Sequence, residues 1–404
     1  MGCAIFLAAR LAYAEIQFRR GTPAAVERAA GLDRFAPNAG YFERLVDLDP
    51  DHAARWLAAA LDANPRSSSA WIGQGLASEQ QGERAGQFDP AEHDLLEAAR
   101  VDRQYLPAWT LANFYFRRQS QNNFWIWARR AAELTYDDFR PLLALAHAAE
   151  RDPRTVIEKL GGGDPLLRAD LDYLAAQGRF EDAQQVARLL LARRAAPGVF
   201  SETPRLLELA ERQIRAGNGR YALELWNAVA ATFHEGLNRE RLDPEQGGVL
   251  ANGDLLQSPS GVAFDWRLPR TEGALVAWQP SQLTFSLSGD QPESCALLEQ
   301  IVPVARAKRY RLRFEYFTAG LTSPTGIVWD LDGDEGPALE PAEGWLAAAA
   351  VLRASRDTPG GGLGGRNRGS RGNLGKLRLL YRREPGTVRA EGRLELRHLR
   401  MEVL

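Results

Sequence analysis

The chain has 404 residues, 45% of them hydrophobic and 25% charged, enough for two sizeable cores. Its formal net charge of −2 excludes a whole-chain attraction to nucleic acid or an anionic membrane. The two cysteines, Cys3 and Cys295, offer no close spacing for a bridge or a metal, and the three lysines (Lys159, Lys308, Lys376) among 50 basic residues read as the coding bias of a GC-rich bacterium.

Residues 1–36 are predicted as an N-terminal helix. Cys3 to Ala9 is apolar, Arg10 interrupts the run, and Ala12-Tyr13-Ala14 has the form of a signal-peptidase site. No basic residue precedes the run, which is short for a signal core and far below the ~20 apolar residues of a membrane span. The expectation is an amphipathic first helix of a helical domain. The alternative is a truncated signal or anchor, which would be the chain's only membrane contact.

Residues 37–236 carry a helical repeat. Ala70-Trp71 and Ala108-Trp109 each follow a turn signal, Pro65 with Ser67 to Ser69 and then Pro107, and the two tryptophans stand 38 residues apart. A short insertion, Glu83 to Pro90, accounts for the length of that period. Downstream, Gln177-Gly178-Arg179-Phe180 and Asn218-Gly219-Arg220-Tyr221 repeat a turn glycine followed by an aromatic that starts the next helix. Gly178 and Gly219 suit a left-handed turn residue that a side chain would penalise. Four to five helix hairpins fit between Pro37 and Phe233, the first and the one around Pro141 being degenerate. Gly161-Gly162-Gly163 reads as an inter-helix turn, and His147, inside an apolar helix, as a satisfied buried residue.

With Trp71, Trp109, Gly178 and Gly219 as its repeat signature, this half resembles the tetratricopeptide family, whose unit is a helix-turn-helix of about 34 residues. The resemblance implies an α-solenoid that binds a peptide or another protein.

Residues 237–251 read as a linker, because Leu242 to Gly253 is rich in breakers, with Pro244, Gly247 and Gly248. From 252 to 404 the hydrophobic period changes to two. Tyr310, Leu312, Phe314 and Tyr316 alternate with Arg309, Arg311, Arg313 and Glu315, as in a half-buried strand. Leu283/Phe285/Leu287, Ile327/Trp329/Leu331, Leu377/Leu379/Tyr381 and Leu394/Leu396 repeat the pattern, which predicts an antiparallel sandwich. In the last strand Leu399, Met401 and Val403 take over the apolar frame, so a bulge is expected near His398.

Asn252-Gly253-Asp254, Phe264-Asp265-Trp266, Leu298-Glu299-Gln300, Tyr310-Arg311-Leu312 and Trp329 follow the order of landmarks in jelly-roll carbohydrate-binding modules, which this half resembles. The whole chain is similar to tetratricopeptide proteins of bacterial polysaccharide-export clusters. In the modules the opening Asn-Gly-Asp continues with Phe-Glu, whose acid helps hold a structural calcium; here Leu255-Leu256 takes that place. The resemblance implies sugar stacking on indole rings, with Trp266, Trp278 and Trp345 as candidate platforms. By its sequence pattern Trp266 is expected in the core, as is Trp329, which shares a face with Ile327 and Leu331.

Asp330, Asp332 and Asp334 are the candidate calcium ligands, but an EF-hand would need Gly and Glu where Glu335 and Pro341 stand. A two-residue hairpin turn at Asp332-Gly333 is the expectation. Residues 359–373, with Gly360 to Arg366, are predicted as a flexible loop. Beyond residue 360 the charge is strongly basic, a field that can hold an anionic polymer, although a solvated strand face explains most of those arginines.

No H-E-x-x-H, G-x-S-x-G or Walker sequence is present, and the five histidines are scattered. The reading is a two-domain, all-α plus all-β chain, an N-terminal α-solenoid followed by an antiparallel β-sandwich of jelly-roll type. The expected function is a non-catalytic scaffold or adaptor, without cofactor, binding a protein through the solenoid and a polysaccharide, not nucleic acid, through the sandwich. Its expected setting is bacterial envelope polysaccharide assembly or export, in the cell envelope or periplasm, with the cytoplasm as the alternative. The competing function is a polysaccharide-modifying hydrolase with its site at the domain junction.

Overall fold

A computed structural model describes residues 2–33, 40–85, 89–193, 203–232, 240–305, 308–354 and 374–404. Helices come first and antiparallel sheets follow. The chain divides into two compact units, Met1–Tyr173 and Leu174–Leu404.

The first unit contains α1 (Gly2–Arg19), α2 (Pro23–Leu32), α3 (Gly40–Leu48), α4 (Ala53–Ala63), α5 (Ser68–Ala85), α6 (Asp89–Val101), α7 (Tyr105–Arg117), α8 (Gln121–Leu134), α9 (Arg140–Ala149) and α10 (Pro153–Lys159). The division falls within α11 (Asp164–Ala176). Consecutive helices pack as hairpins, α1 on α2, α3 on α4, α5 on α6 and α7 on α8. Small residues make those contacts close: Ala60, Ala70, Ala91, Ala98 and Ala108 are buried. Trp71 and Trp109 are only half-buried. The Trp71 indole N–H donates to Pro65 O at 3.0 Å, and Trp109 stacks on Tyr105 with centroids 6.1 Å apart. Each signature tryptophan therefore braces the start of its helix, while the alanine before it fills the core. The hairpin around Pro141 is indeed curtailed, α10 having seven residues. Part of the insertion expected at Glu83 to Pro90 lies outside the described residues.

Two polar pairs tie these helices together. Arg117 of α7 holds Glu79 of α5 with two hydrogen bonds, at 3.0 and 2.6 Å, and Glu79 is only 5% exposed. His147 of α9 meets Asp170 of α11 at 2.6 Å, both buried, and the imidazole stacks on Tyr173. The histidine is thus a buried core residue, but the expectation of a satisfied one is met only at Nε2, since its Nδ1 has no hydrogen-bond partner among the described residues. In α1 the buried positions are Ala14 and Gln17, whereas Ile5, Phe6 and Leu7 are exposed, so the expected amphipathic stripe is narrow. No described helix is long and apolar enough to cross a membrane.

One turn recurs after α7, α11 and α13 (Thr203–Arg215). Gln119, Gly178 and Gly217 each have positive φ (56°, 70° and 78°). Each donates to the carbonyl three residues back, and the following N–H donates five back: Ser120 to Tyr115, Arg179 to Leu174, Asn218 to Gln213. That pair of bonds satisfies carbonyls that a helix end leaves unpaired. Gly178 fills the role expected of it, but Gly219 does not. Gly219 is the first residue of α14 (Gly219–Thr232), and Gly217 is the left-handed one. The Gln213 carbonyl is reached by Asn218, which fixes the turn two residues earlier than the sequence repeat suggests. A Cβ on Gly178 would meet nothing within 4 Å, so Gly178→Ala is expected to cost only the left-handed backbone penalty, about 1 kcal/mol. An unchanged denaturation midpoint would contradict this assignment.

The second unit adds α12 (Phe180–Ala192), α13 and α14 to β1 (Ala274–Gln279), β2 (Gln282–Ser288), β3 (Ser294–Pro303), β4 (Arg309–Ala319), β5 (Ile327–Leu331), β6 (Asp334–Ala338), β7 (Leu346–Arg353), β8 (Leu374–Arg382) and β9 (Glu391–Val403). Among the described residues the strands form a five-stranded sheet, β1-β2-β9-β4-β7, and a four-stranded sheet, β3-β8-β5-β6. All of these strand pairings are antiparallel. The inner faces meet in one core that includes Trp266, Phe285, Tyr310, Phe314, Trp329 and Tyr381. Loop 359–373 lies outside the described residues.

Residues expected to form a linker are packed into this unit. Leu242, Val249, Leu250 and Ala251 are buried, and Asn227 of α14 exchanges two hydrogen bonds with Leu242, at 2.8 and 2.9 Å. Trp226 packs edge-on against Phe264 at 5.8 Å, and Glu211 of α13 accepts from Arg267 at 2.6 Å and from the Ala263 N–H at 2.8 Å. The Pro and Gly residues of this segment bend it across a core, where turn chemistry is needed as much as in a free tether.

Candidate functional site

Strand parity decides which side chains leave the sandwich. In β4, Tyr310, Leu312, Phe314, Tyr316 and Thr318 are buried, so Arg309, Arg311, Arg313, Glu315 and Phe317 stand on the outer face of the five-stranded sheet. On β9 the outer positions are Arg393, Glu395 and Arg397, then Arg400 and Glu402, because a bulge changes the frame. There Phe314 of β4 opposes both His398 and Leu399, between the pairs Arg313↔Arg400 and Glu315↔Arg397. His398 takes a φ of 52°, where the sequence places the bulge.

The candidate tryptophans separate along this division. Trp266 is fully buried, with its indole N–H on Asn252 O at 3.1 Å and its ring near Trp329, so it is a core residue and not a platform. Trp278 is half-buried on the inward side of β1, packs against the core, and donates to Leu255 O at 2.9 Å. Its strand parity thus turns this candidate platform inward. Trp345 alone of the three joins the outer face, 38% exposed and beside Phe317 with centroids 6.3 Å apart.

Around those two rings the face is polar. The Arg397 guanidinium lies 3.9 Å from the centre of the Trp345 ring and Arg393 lies 6.0 Å from that of Phe317, distances at which a cation is drawn to a ring. Glu315 holds Arg397 at 2.7 Å, Glu395 holds Arg393 at 3.0 Å, and Gln282 of β2 donates to Glu395 at 2.8 Å. The Arg397 hydrogen bond is the main reason the Glu315 carboxyl sits below the usual carboxylate range, helped by His398. The result is a strip of two aromatic rings bordered by charged groups that donate and accept hydrogen bonds. Phe317, Glu395 and Gln282 belong to no sequence motif, and Arg393 stands out only as part of the basic stretch beyond residue 360. The alternation that buries Tyr316 already implied an outward Phe317, but pairing it with Trp345 required the register of β4 with β7.

The acidic run has another role. Asp332 and Gly333, at φ 53° and 95°, form the two-residue turn between β5 and β6, as expected. Asp330 is buried and accepts from the Arg378 Nε and Nη2 at 2.7 and 2.6 Å and from the Gly333 N–H. Asp332 accepts from the Lys376 N–H at 2.8 Å, and Asp334 from the Arg353 N–H. The three candidate calcium carboxylates thus diverge, and no group of three or more acidic, His or Cys side chains converges as a metal site among the described residues. Burial pushes the Asp332 carboxyl above its ordinary value of 3.8. Its native form therefore binds a proton more tightly than the unfolded chain, and stability is lost as pH rises from 3.8 through the raised value. Asp332→Asn keeps an acceptor and tolerates positive φ, so it should raise the melting temperature at pH 7. The gain should vanish at pH below 3.8. An equal gain at both pH values would refute the assignment.

The sequence landmarks of the jelly-roll likeness brace this scaffold. Asp265 accepts from Ser260 and Trp266, Gln300 donates to Ala251 O, and Leu255 O receives both Ser281 N–H and Trp278.

No family model and no curated protein matches the sequence. Among solved structures, one described as a CBM4 structure is similar over 38% of this chain and 98% of its own, with 8% identity and a TM-score of 0.28. A family 29 carbohydrate-binding module in complex with mannohexaose is similar over 38% and 89%, with 12% identity and a TM-score of 0.22. The TPR domain of P58(IPK) covers 57% of this chain and 74% of its own, with 16% identity and a TM-score of 0.20. The helix hairpins and strand order described above carry the fold assignment.

Proposed function

We propose that this chain is a non-catalytic adaptor of the bacterial cell envelope. Its helical hairpins bind a protein partner, and the outer face of its five-stranded sheet binds a polysaccharide during assembly or export of that polymer. The observation that carries the reading is the strip of half-buried Phe317 and exposed Trp345 on a sheet whose other face is core, with Glu315, Glu395, Gln282, Arg393 and Arg397 around it. A sugar ring sets a C–H face against an aromatic ring and takes its orientation from nearby carboxylates, amides and guanidinium groups. Arg397 already covers one face of Trp345, so stacking falls to Phe317 and to the open part of the Trp345 indole.

The test is calorimetry of the full-length protein against a panel of bacterial polysaccharides, with Phe317→Ala and Trp345→Ala variants. A saturable heat is expected, with affinity about tenfold weaker in each variant, the value of one aromatic contact. Silence across the panel from folded protein would overturn the sugar-binding half of the reading.

A further inference from the structure

Beyond the β9 bulge, arginine stands opposite arginine. The register sets Arg309 of β4 against Arg353 of β7, and Arg313 of β4 against Arg400 of β9, while Arg311 between them along β4 stands opposite Glu402 of β9. Each alternates with a buried residue, so all five share the outer face of the five-stranded sheet. Like charges placed directly across a strand pair destabilise it. Counter-charges are sparse: Glu402 is 3.6 Å from Arg313 and Asp254 is 3.9 Å from Arg400. Arg309, Arg311 and Arg353 make no ion pair among the described residues. Charge on an edge strand guards against unwanted pairing, which could account for Arg353 on β7. It cannot account for Arg313 opposite Arg400, because β4 and β9 are interior strands.

We infer that this arginine ladder is a subsite for a polyanionic polysaccharide, one bearing repeated carboxylate or sulfate groups. The inference rests on the sugar-binding reading above and names the class of polymer it takes. Outward residues of a strand recur every ~6.7 Å, so Arg309, Arg311 and Arg313 form a row of roughly 13 Å. A row of that length spans successive anionic groups of an extended chain, and each guanidinium fork can grip an oxyanion with two parallel hydrogen bonds. Bound anions would also relieve the opposed charges. Nucleic acid is the poorer fit: its single strands use aromatic rings interleaved with basic groups, whereas Phe317 and Trp345 sit together at one end.

The experiment titrates full-length protein with alginate, dextran sulfate, uncharged dextran and poly(U) RNA, using the native chain and an Arg309→Gln/Arg353→Gln double variant. The expected result is saturable binding of alginate or dextran sulfate, the better of the two marking the anionic group preferred. It should weaken steeply with added salt and fall at least about tenfold in the double variant. The variant should also melt no lower than the native chain, because a repelling pair has been removed. Three outcomes overturn the inference: tighter binding of poly(U) than of either acidic glycan, a variant that binds them as well as the native chain, or binding of neutral glycans alone. The last leaves the sugar-binding reading standing. Binding of no glycan here or in the wider panel removes both.

Discussion

Gly253→Ala is expected to cost about 3–5 kcal/mol, a large share of the 5–15 kcal/mol that stabilises a typical domain. A Cβ at residue 253 would lie 2.2 Å from the Leu399 carbonyl oxygen, a backbone atom that no rotamer change can move. The Leu399 N–H donates to Gly253 O at 2.9 Å, so the two backbones are in direct contact at the β9 bulge. Making room for a methyl group means parting them, losing that bond and disturbing the buried Leu399 and Met401. Gly261→Ala is the matched control. Gly261 has a φ of 72° but nothing within 4 Å of its notional Cβ, so only the backbone penalty of about 1 kcal/mol applies. Calorimetric melting of both variants decides the matter; equal shifts would mean that close contact is not what requires glycine at 253.

Arg117→Ala should be nearly as damaging, at about 3 kcal/mol, because it strands the Glu79 carboxylate among helices with 5% of the residue exposed. The loss comes from an uncompensated buried charge more than from the attraction removed. Replacing both partners, as Glu79→Leu/Arg117→Leu, should therefore recover most of the stability. Urea denaturation of the single and double variants checks it; a double variant as unstable as the single one would show that the pair itself stabilises. The two residues are 38 apart, the same interval as Trp71 and Trp109, so the bridge fixes the register of α5 against α7.

Much of this structure is written locally. A two-residue period is visible in any short window, which is why the β4 strand and the change of frame between Leu396 and Leu399 can be read from sequence. Asp332-Gly333 is legible for a similar reason, since few residue pairs accept positive φ at both positions. What depends on contacts made far along the chain stays hidden. Gly217-Asn218-Gly219 contains two glycines two residues apart, and only the bond to Gln213 O selects the first as the turn. In β1, Leu275 is 77% exposed while Val276 and Trp278 pack inward, so the hydrophobic pattern of this edge strand does not identify its buried face. The functional face is hidden for the same reason: residues 317, 345 and 397 come from three separate segments that only strand pairing assembles.

The packing of Leu242, Val249 and Leu250 and the grip of Glu211 on Arg267 govern how this protein can be cut. A fragment opened at Asn252 would leave behind Val249 and Leu250, two members of the sandwich core, and would take away the carboxylate that neutralises a guanidinium only 22% exposed. Such a piece would present raw apolar surface to solvent and would be prone to self-association. A fragment meant to carry the β-sandwich needs α13 and α14 with it, and the compact unit reaches back to Leu174.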